Sequence, residues 1–239
     1  MAGGMYAALS GMSVKLQDLD RVATDLANVG TSGYKTEQQG ASAAERGQFR
    51  RELDSAIDVM GGDRKLDMRP GLIGSTGRDL DVAIEGNGFF VVQTPQGDRY
   101  TRDGGFLRRS DGVLATRDGN PVIGQAGEIT IGNGPVKIGE DGTIRVDGTV
   151  AGRLKVVSFD APGDIVRESG ARFRAAANVT PVDSNARVVG GSLESANVSV
   201  VERMATLTEI TRAFEGLQRG ISILANDIDG RAITELGKR

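Results

Sequence analysis

The stretch "DLANVGTSGYK", Asp25 to Lys35, interrupts a helical pattern close to the start of the chain. Before it, apolar residues return at spacings of three and four, which is the repeat of an amphipathic helix. Within it, Asn28, Gly30 and Gly33 favour the end of a helix, because they readily adopt backbone conformations that a helix does not contain. The sequence therefore predicts an N-terminal helix that stops at this turn and is followed by a different kind of structure.

The N-terminal helix carries a narrow apolar line with a seven-residue repeat. Its members alternate spacings of four and three: Met5, Leu9, Met12, Leu16, Leu19, Ala23 and Leu26. Such a line is typical of a seam that packs against another helix, whereas a helix that docks on a sheet shows a broader apolar face.

The C-terminal region repeats this pattern over a longer stretch, and we expect a helix from about residue 198 to residue 236. One line returns every seven residues: Val200, Leu207, Phe214, Ile221 and Ile228. A companion line contains Ile210, Leu217 and Leu224, with Arg203 and Arg231 at its two ends. The two seams predict a coiled-coil-like helical unit, formed either within one monomer or together with other subunits.

The middle of the chain has the pattern of short strands joined by tight turns. Asp-Gly pairs occur at 103–104, 111–112, 118–119, 141–142 and 147–148. Several lie between strand-like runs such as "GFFVVQT" (88–94) and "TIRV" (143–146), and Asp-Gly in that position is a strong hairpin signal because both residues tolerate positive φ. The predicted fold class is α+β: long N- and C-terminal helices packing as a coiled-coil-like unit, with a central antiparallel β domain.

The same patterns predict a division of the chain into five parts. Residues 1–36 form the N-terminal helix and turn, 37–77 an extended connector, 78–174 the β domain, 175–196 a return connector, and 197–239 the C-terminal helix.

Composition excludes several classes of function. The chain of 239 residues has no cysteine and no histidine, which removes disulfides, thiolate nucleophiles, histidine bases and the usual zinc sites. A net charge of -3 and 4% aromatic residues argue against nucleic-acid binding. No run approaches the ~18 apolar residues of a membrane span, so no membrane insertion is expected. The first residues lack the basic and apolar regions of a cleaved secretory signal peptide.

Three short motifs suggest chemistry but fit a structural explanation better. "GTSGYKT" (30–36) fails the spacing of a phosphate-binding loop because Tyr34 separates Gly33 from Lys35. "GNG" (86–88) does not continue into a dinucleotide-binding motif, and the Asp-Gly pairs lack the closing glutamate of a calcium loop. The sequence therefore predicts no catalytic residue, no metal site and no cofactor.

Three ordered segments resemble the bacterial flagellar rod and hook protein family. They are "LSGM" with "DLANVGTSGYK" (9–12 and 25–35), "LDVAIEGNGFFVVQTPQGDRYTRDGGF" with "DGVLATRDGNPVIG" (80–106 and 111–124), and "GSLESANVSVVERMATLTEITRAFEGLQRGISILANDIDGRAITEL" (191–236). The likeness spans nearly the whole chain. Two departures are the opening "MAGG" and the pair Thr24-Asp25, where the family often has paired asparagines.

The resemblance implies a structural subunit of the basal-body rod, exported through the flagellar type III apparatus without cleavage and located in the rod that crosses the periplasm. Its implied partners are other rod proteins and copies of itself. Within the family, the chain length and the short 37–69 segment are most similar to the proximal rod member, with the distal rod member as the alternative.

The resemblance and the seams together give a set of candidate residues. The expected assembly interface contains Met5, Leu9, Met12, Leu16, Leu19, Leu26, Leu207, Ile210, Phe214, Leu217, Ile221, Leu224 and Ile228. The family-signature turn contains Asn28, Gly33, Tyr34 and Lys35. Outside the family, the alternatives are a secreted β-rich carbohydrate-binding or lyase module and a monomer whose ends form a helical hairpin.

Overall fold

A computed structural model describes residues 2–39, 64–161 and 163–236, which fall into two compact units. The helical unit contains helix α1 (Ala2–Ala27) and helix α2 (Val200–Leu236). The β unit contains residues 28–38 and 65–198. Within the described residues, one helix therefore lies at each end of the chain and the strands lie between them, as the sequence predicts.

The helical unit is an antiparallel pair. Near one end, Arg203 Nε lies 3.2 Å from Asp25 Oδ2. Towards the other end, a Cβ placed on Gly11 would lie 3.6 Å from Leu217 Cδ1. A residue late in α1 lies next to a residue early in α2, and an earlier residue of α1 lies next to a later residue of α2. The two helices therefore run in opposite directions.

The predicted coiled-coil-like packing of these helices is wrong. Leu9 and Leu16, which belong to the predicted seam of α1, are 49% and 51% exposed. Among the side chains of α1 that the structure describes, the buried ones are instead Asp18, Val22 and Asp25. A coiled coil needs both apolar lines in the interface. Here the contact face is rotated away from Leu9 and Leu16, because Asp25 turns inward to pair with Arg203.

The strands are short, and from the third strand onward each pairing between described strands is antiparallel. The first ten are β1 (Glu37–Gln39), β2 (Arg64–Leu66), β3 (Ile73–Ser75), β4 (Val82–Glu85), β5 (Phe89–Thr94), β6 (Gly97–Thr101), β7 (Leu107–Arg108), β8 (Leu114–Ala115), β9 (Val122–Gly124) and β10 (Gly127–Glu128). The remainder are β11 (Val136–Ile138), β12 (Thr143–Val146), β13 (Thr149–Arg153), β14 (Val156–Ser158), β15 (Ile165–Ser169), β16 (Arg172–Ala175), β17 (Val182–Asp183), β18 (Arg187–Gly190) and β19 (Ser192–Glu194).

One larger sheet organises the β unit. Its strands follow the order β10-β9-β5-β6-β16-β15, with β14 also paired to β5 and β17 paired to β14. The described residues also form a three-stranded sheet, β11-β12-β13, and the two-stranded ladders β18-β4, β19-β3, β7-β8 and β1-β2. The two ladders β18-β4 and β19-β3 tie the last residues before α2 to the first strands of the β unit.

Strand β5 lies at the centre of two apolar clusters. Phe90 and Val92 belong to a cluster on one face, while Phe89 and Val91 belong to a cluster on the other. Both faces of this strand are therefore buried, which explains why "FFVV" is continuously apolar rather than alternating.

The Asp-Gly pairs form the turns predicted for them, with one exception. Asp147 and Gly148 have φ of 51° and 81° and join β12 to β13, as a type I′ hairpin requires. Gly104 does not turn a hairpin. A Cβ at this position would lie 1.7 Å from the carbonyl oxygen of Val82, so the glycine is required by the close approach of two backbone segments.

In the described part of the chain, neither helix is long and apolar enough to cross a membrane. The same residues contain no group of three or more acidic side chains placed to hold a metal ion.

Candidate assembly site and its buried ion cluster

The family-signature turn lies in the β unit and is largely buried. Tyr34 is 1% exposed and Lys35 is fully buried, while Asn28 accepts a 2.9 Å hydrogen bond from the Thr31 amide at the end of α1. The turn therefore anchors the chain in the β unit immediately after the first helix.

Lys35 joins two other charged side chains in what we call the junction cluster: Lys35, Arg102 and Glu194. Lys35 Nζ lies 2.6 Å from Glu194 Oε1, and Arg102 Nη1 lies 3.0 Å from Glu194 Oε2. Glu194 is 1% exposed and also accepts a 2.9 Å hydrogen bond from the Gly71 amide. Because each member is buried, each depends on the others for the stabilisation that water would otherwise provide.

The environment of the cluster shifts the pKa values of its members. Burial raises the pKa of Glu194, but Arg102 and Lys35 together outweigh it and hold the pKa below its ordinary value of 4.5. Burial lowers the pKa of Lys35, even though Glu194 acts in the opposite direction. Glu194 is thus held as a carboxylate between two cations.

This shift makes the stability of the β unit depend on pH. Because the folded-state pKa of Glu194 is depressed, its contribution is fully present above 4.5 and is lost as the pH falls through the folded-state pKa. In urea unfolding of the full chain between pH 7 and pH 3, the Glu194→Gln variant should therefore show a shallower loss of stability than the parent.

The exposed Glu140, which pairs with Arg187 at the surface, provides the control for this titration. Between pH 7 and pH 3, Glu140→Gln should lose about as much stability as the parent does. If the parent and Glu194→Gln lose the same amount of stability between pH 7 and pH 3, the titration of Glu194 is not the cause of the pH dependence.

Gly33 is required at its position for two independent reasons. Its φ of +67° lies in the left-handed region, and a Cβ would lie 2.2 Å from the carbonyl carbon of Arg102. Its amide also donates a 2.8 Å hydrogen bond to the carbonyl oxygen of Glu194. The backbone of the turn is thereby pressed against two residues of the junction cluster.

Arg167 holds the turn from the opposite side. Its guanidinium carbon lies 4.2 Å from the centre of the Tyr34 ring, at cation–π distance. The same group donates hydrogen bonds to the carbonyl oxygen of Lys35 and to Glu37 Oε1, the latter at 2.9 Å. One side chain therefore ties β15 to Tyr34, Lys35 and Glu37.

Asn197 joins the turn to the chain that leads into α2. Its Oδ1 accepts a 2.7 Å hydrogen bond from the Thr36 amide, its Nδ2 donates to the Asp67 carbonyl at 2.8 Å, and its amide donates to the Tyr34 carbonyl at 3.2 Å. The nearby Ser199 caps α2, since its Oγ accepts a hydrogen bond from the Glu202 amide. The segments that adjoin the two helices are thus fastened to each other.

The predicted interface residues are distributed over both helices of the helical unit. Ile210 is buried, and the half-buried members are Met12, Leu19, Leu26, Leu207, Phe214, Leu217 and Ile221. Leu9 and Leu16 are exposed. The side chains of Met5, Leu224 and Ile228 lie outside the described residues. Their part in assembly stays a prediction.

Neither the junction cluster nor the polar contact between the helices is predicted from the sequence. Arg203 lies at one end of an apolar line of α2, and it pairs with the 1% exposed carboxylate of Asp25. Arg102 and Glu194 both fall inside the segments that carry the family resemblance, and this is the one sequence signal that could have marked them. Among the described residues, the geometry of these two groups provides ion pairing and anchoring.

Comparison with known proteins gives two family matches and full-length relatives. Residues 83–152 match the family described as flagellar hook protein FlgE/F/G D1 domain, and residues 189–233 match flagellar basal body rod FlgEFG protein C-terminal. The flagellar basal-body rod protein FlgF of Caulobacter vibrioides is 33% identical, with 100% of this chain and 99% of the relative covered. FlgF of Salmonella typhimurium is 32% identical, with 97% of each covered.

The chain belongs to the family of flagellar basal-body rod and hook proteins. Within that family it is similar to FlgF over its whole length. FlgG proteins are also similar, for example that of Buchnera aphidicola from Acyrthosiphon pisum at 26% identity over 93% of this chain.

Proposed function

We propose that this chain is a FlgF-like structural subunit of the proximal rod and that its two terminal helices join it to neighbouring rod subunits. FlgF relatives of 30–33% identity support the proximal assignment over the FlgG relatives, which are 26–27% identical. The proposal includes export through the flagellar type III apparatus without cleavage, a position in the periplasm-spanning rod, and no catalytic activity.

The observation that carries this proposal is apolar surface on the helical unit. Large apolar side chains exposed there are Leu9 (49%), Leu16 (51%), Val201 (79%), Met204 (52%) and Ile223 (68%). Fully burying one such side chain contributes roughly 1.5–3 kcal/mol, so neighbouring subunits that cover several of them would gain most of the free energy of an assembly interface. The contact between the two helices leaves these positions uncovered in the single chain: Leu9 and Leu16 lie on one face of α1, and Val201, Met204 and Ile223 lie on one face of α2.

The β unit contrasts with this arrangement, since it has its own core. Its two apolar clusters are built from buried residues of β4, β5, β6 and their neighbours. The junction cluster and Asn197 fasten the chain just after α1 and just before α2. A force applied to the helices by adjacent subunits would therefore reach the β unit through two backbone segments, the one that follows α1 and the one that precedes α2. The junction cluster and Asn197 fasten these two segments to each other. This is the basis on which we propose that the rod transmits torque.

Replacing Leu16 or Leu217 by aspartate should prevent incorporation into the rod while leaving the β unit folded. Leu16 is about half exposed in the single chain, so an aspartate there should lower the stability of the isolated protein only slightly. In an assembled interface the same aspartate would be a buried charge, which weakens binding. Incorporation is measured by immunoblotting of purified basal bodies and by swimming, in a flagellated strain that produces this chain in place of its own rod protein. Circular dichroism checks the fold.

The neighbouring exposed positions supply matched controls. Gln17→Asp and Gln218→Asp introduce the same charge on the same helices, next to the substituted residues, and should leave incorporation and swimming intact. A motile Leu16→Asp or Leu217→Asp strain with normal amounts of the chain in its basal bodies would count decisively against assembly through these helices.

A further inference from the structure

The β unit contains two Asn-Gly pairs, Asn87-Gly88 and Asn133-Gly134, which have no part in the proposed function. An asparagine that precedes glycine loses ammonia more readily than one that precedes a larger residue. The backbone nitrogen of the following residue attacks the side-chain amide carbon, and a glycine, which has no Cβ, leaves that approach open. The two pairs are chemically alike, so a difference between them has to come from the fold.

The attack requires freedom at three places. The asparagine side chain has to be available, the peptide group between the two residues has to turn, and the glycine has to move towards the side chain. Close packing or a hydrogen bond at any of these places slows the reaction, because the surrounding structure resists the movement.

The first pair is held at its backbone. Ser184 Oγ donates a 2.6 Å hydrogen bond to the carbonyl oxygen of Asn87. Gly88 is buried immediately before β5, and a Cβ placed on it would lie 2.6 Å from Val156 Cγ1. Turning the peptide group between Asn87 and Gly88 would therefore break a hydrogen bond and disturb the packing of β5 against β14.

The second pair lies on an exposed loop between β10 and β11. Within the described residues, neither the Asn133 side chain nor the Gly134 amide makes a hydrogen bond. A Cβ placed on Gly134 would lie 2.2 Å from Asp147 Oδ2, but that atom is the end of an exposed side chain, which can rotate away. The loop therefore leaves free the movement that the fold denies to the first pair.

Two charged side chains lie next to the second pair and act on it in opposite directions. The Asp147 carboxylate disfavours loss of the Gly134 amide proton, which accompanies the attack. Arg108 Nη1 donates a 2.7 Å hydrogen bond to the carbonyl oxygen of Gly132, so its positive charge favours the same step. Both side chains are exposed, and water and salt screen their effects. Backbone freedom therefore decides which pair reacts.

We propose that Asn133 is a site of spontaneous deamidation and that the fold protects Asn87 from the same reaction. The Gly134 nitrogen forms a bond to Asn133 Cγ, the Cγ–Nδ2 bond breaks, and ammonia leaves with the amide proton of Gly134. Water then opens the five-membered imide at either of its two carbonyl carbons, which gives aspartate or isoaspartate at position 133. Each event adds one negative charge to the chain at neutral pH.

Peptide mass spectrometry of the aged chain tests this proposal. The full chain is kept in mildly alkaline buffer, and a parallel sample is kept at the same pH in enough urea to unfold it. In the folded chain, deamidation at Asn133 should be at least tenfold faster than at Asn87, which corresponds to about 1.4 kcal/mol in activation free energy. In the unfolded chain the two positions should react at similar rates, because both asparagines lie between glycines.

Three results would overturn the inference. Equal rates in the folded chain would show that the packing of Gly88 does not protect Asn87. The same ratio of rates in the folded and unfolded samples would show that the outer sequence, and not the fold, distinguishes the pairs. No product at Asn133 in the folded chain would show that its loop is held.

A pair of variants checks the site by charge. The aged parent should develop an acidic species on isoelectric focusing, and Asn133→Gln should largely abolish it, because glutamine has to close a larger ring and reacts more slowly. Asn185→Gln changes an exposed asparagine that precedes alanine and should leave the acidic species unchanged. Equal amounts of acidic species from the parent and Asn133→Gln would contradict the assignment.

Discussion

Replacing Glu194 by alanine destabilises the β unit by about 3–5 kcal/mol, the usual result of leaving a buried charge without its partner. Lys35 and Arg102 are both almost wholly buried, and Glu194 is the acid that contacts them both. The Gly71 amide and the Lys35 ammonium lose an acceptor at the same time. The loss is measured by urea unfolding of the full chain at pH 7, followed by the fluorescence of its tyrosines.

Glu140→Ala is the matched control, since it removes a glutamate that pairs with Arg187 at the surface. Exposed ion pairs contribute roughly 0–1 kcal/mol, so this variant should unfold almost as the parent does. Glu194→Gln keeps a hydrogen-bond acceptor, so its loss of stability should lie between those of Glu194→Ala and Glu140→Ala. If Glu194→Ala costs no more than Glu140→Ala, the junction cluster does not hold the turn and the return segment together.

The second large effect is expected from Gly33→Ala. An alanine must adopt φ of +67°, which costs roughly 1–2 kcal/mol, and its Cβ would overlap the Arg102 carbonyl carbon at 2.2 Å. Overpacking adds about 1–3 kcal/mol, so the total is about 3 kcal/mol or more. The readouts are urea unfolding and the amount of chain in purified basal bodies, and both should fall.

Gly30 is the control for this substitution, because it lies in the same turn. A Cβ there would meet nothing within 4 Å, so Gly30→Ala should change stability by no more than about 0.5 kcal/mol. Equal behaviour of the two alanine variants would show that the close approach of Gly33 to Arg102 is not required.

Local sequence signals were sufficient to predict the two terminal helices and the antiparallel β character of the middle of the chain. Asp147-Gly148 predicts a hairpin because its φ requirements are local, and "GFFVVQT" (88–94) predicts a strand from its own composition. The ends of the chain were predicted as helices for the same reason. Each of these inferences depends on residues that are neighbours in the sequence.

The packing of the helices could not be predicted in this way. Heptad spacing identifies two possible lines on α1, one through Leu9 and Leu16 and one through Asp18 and Asp25, and apolarity favours the first. The structure buries the second, because the partner that neutralises Asp25 is Arg203, which lies far away in the sequence. Burial of a charge depends on its counter-ion, and periodicity contains no information about that pairing.

The junction cluster illustrates the same limit. Its members lie at positions 35, 102 and 194, and no local pattern relates them. The sequence marked Lys35 through the family-signature turn, whereas Arg102 and Glu194 became visible only when the fold placed them around it. Strands β17 to β19 likewise lie within residues 175–196, where the sequence predicts a connector, because their pairing partners β14, β4 and β3 are distant in the chain.

The central claim is that the terminal helices complete their packing on other subunits while the β unit is already complete. Amide hydrogen exchange of the chain, alone in dilute solution and within purified basal bodies, measures this directly. The account predicts a large gain of protection on assembly in peptides from 2–27 and 199–236, with little change in peptides from β5 and β6. Helices that are already fully protected in the dilute chain, and unchanged on assembly, would contradict it.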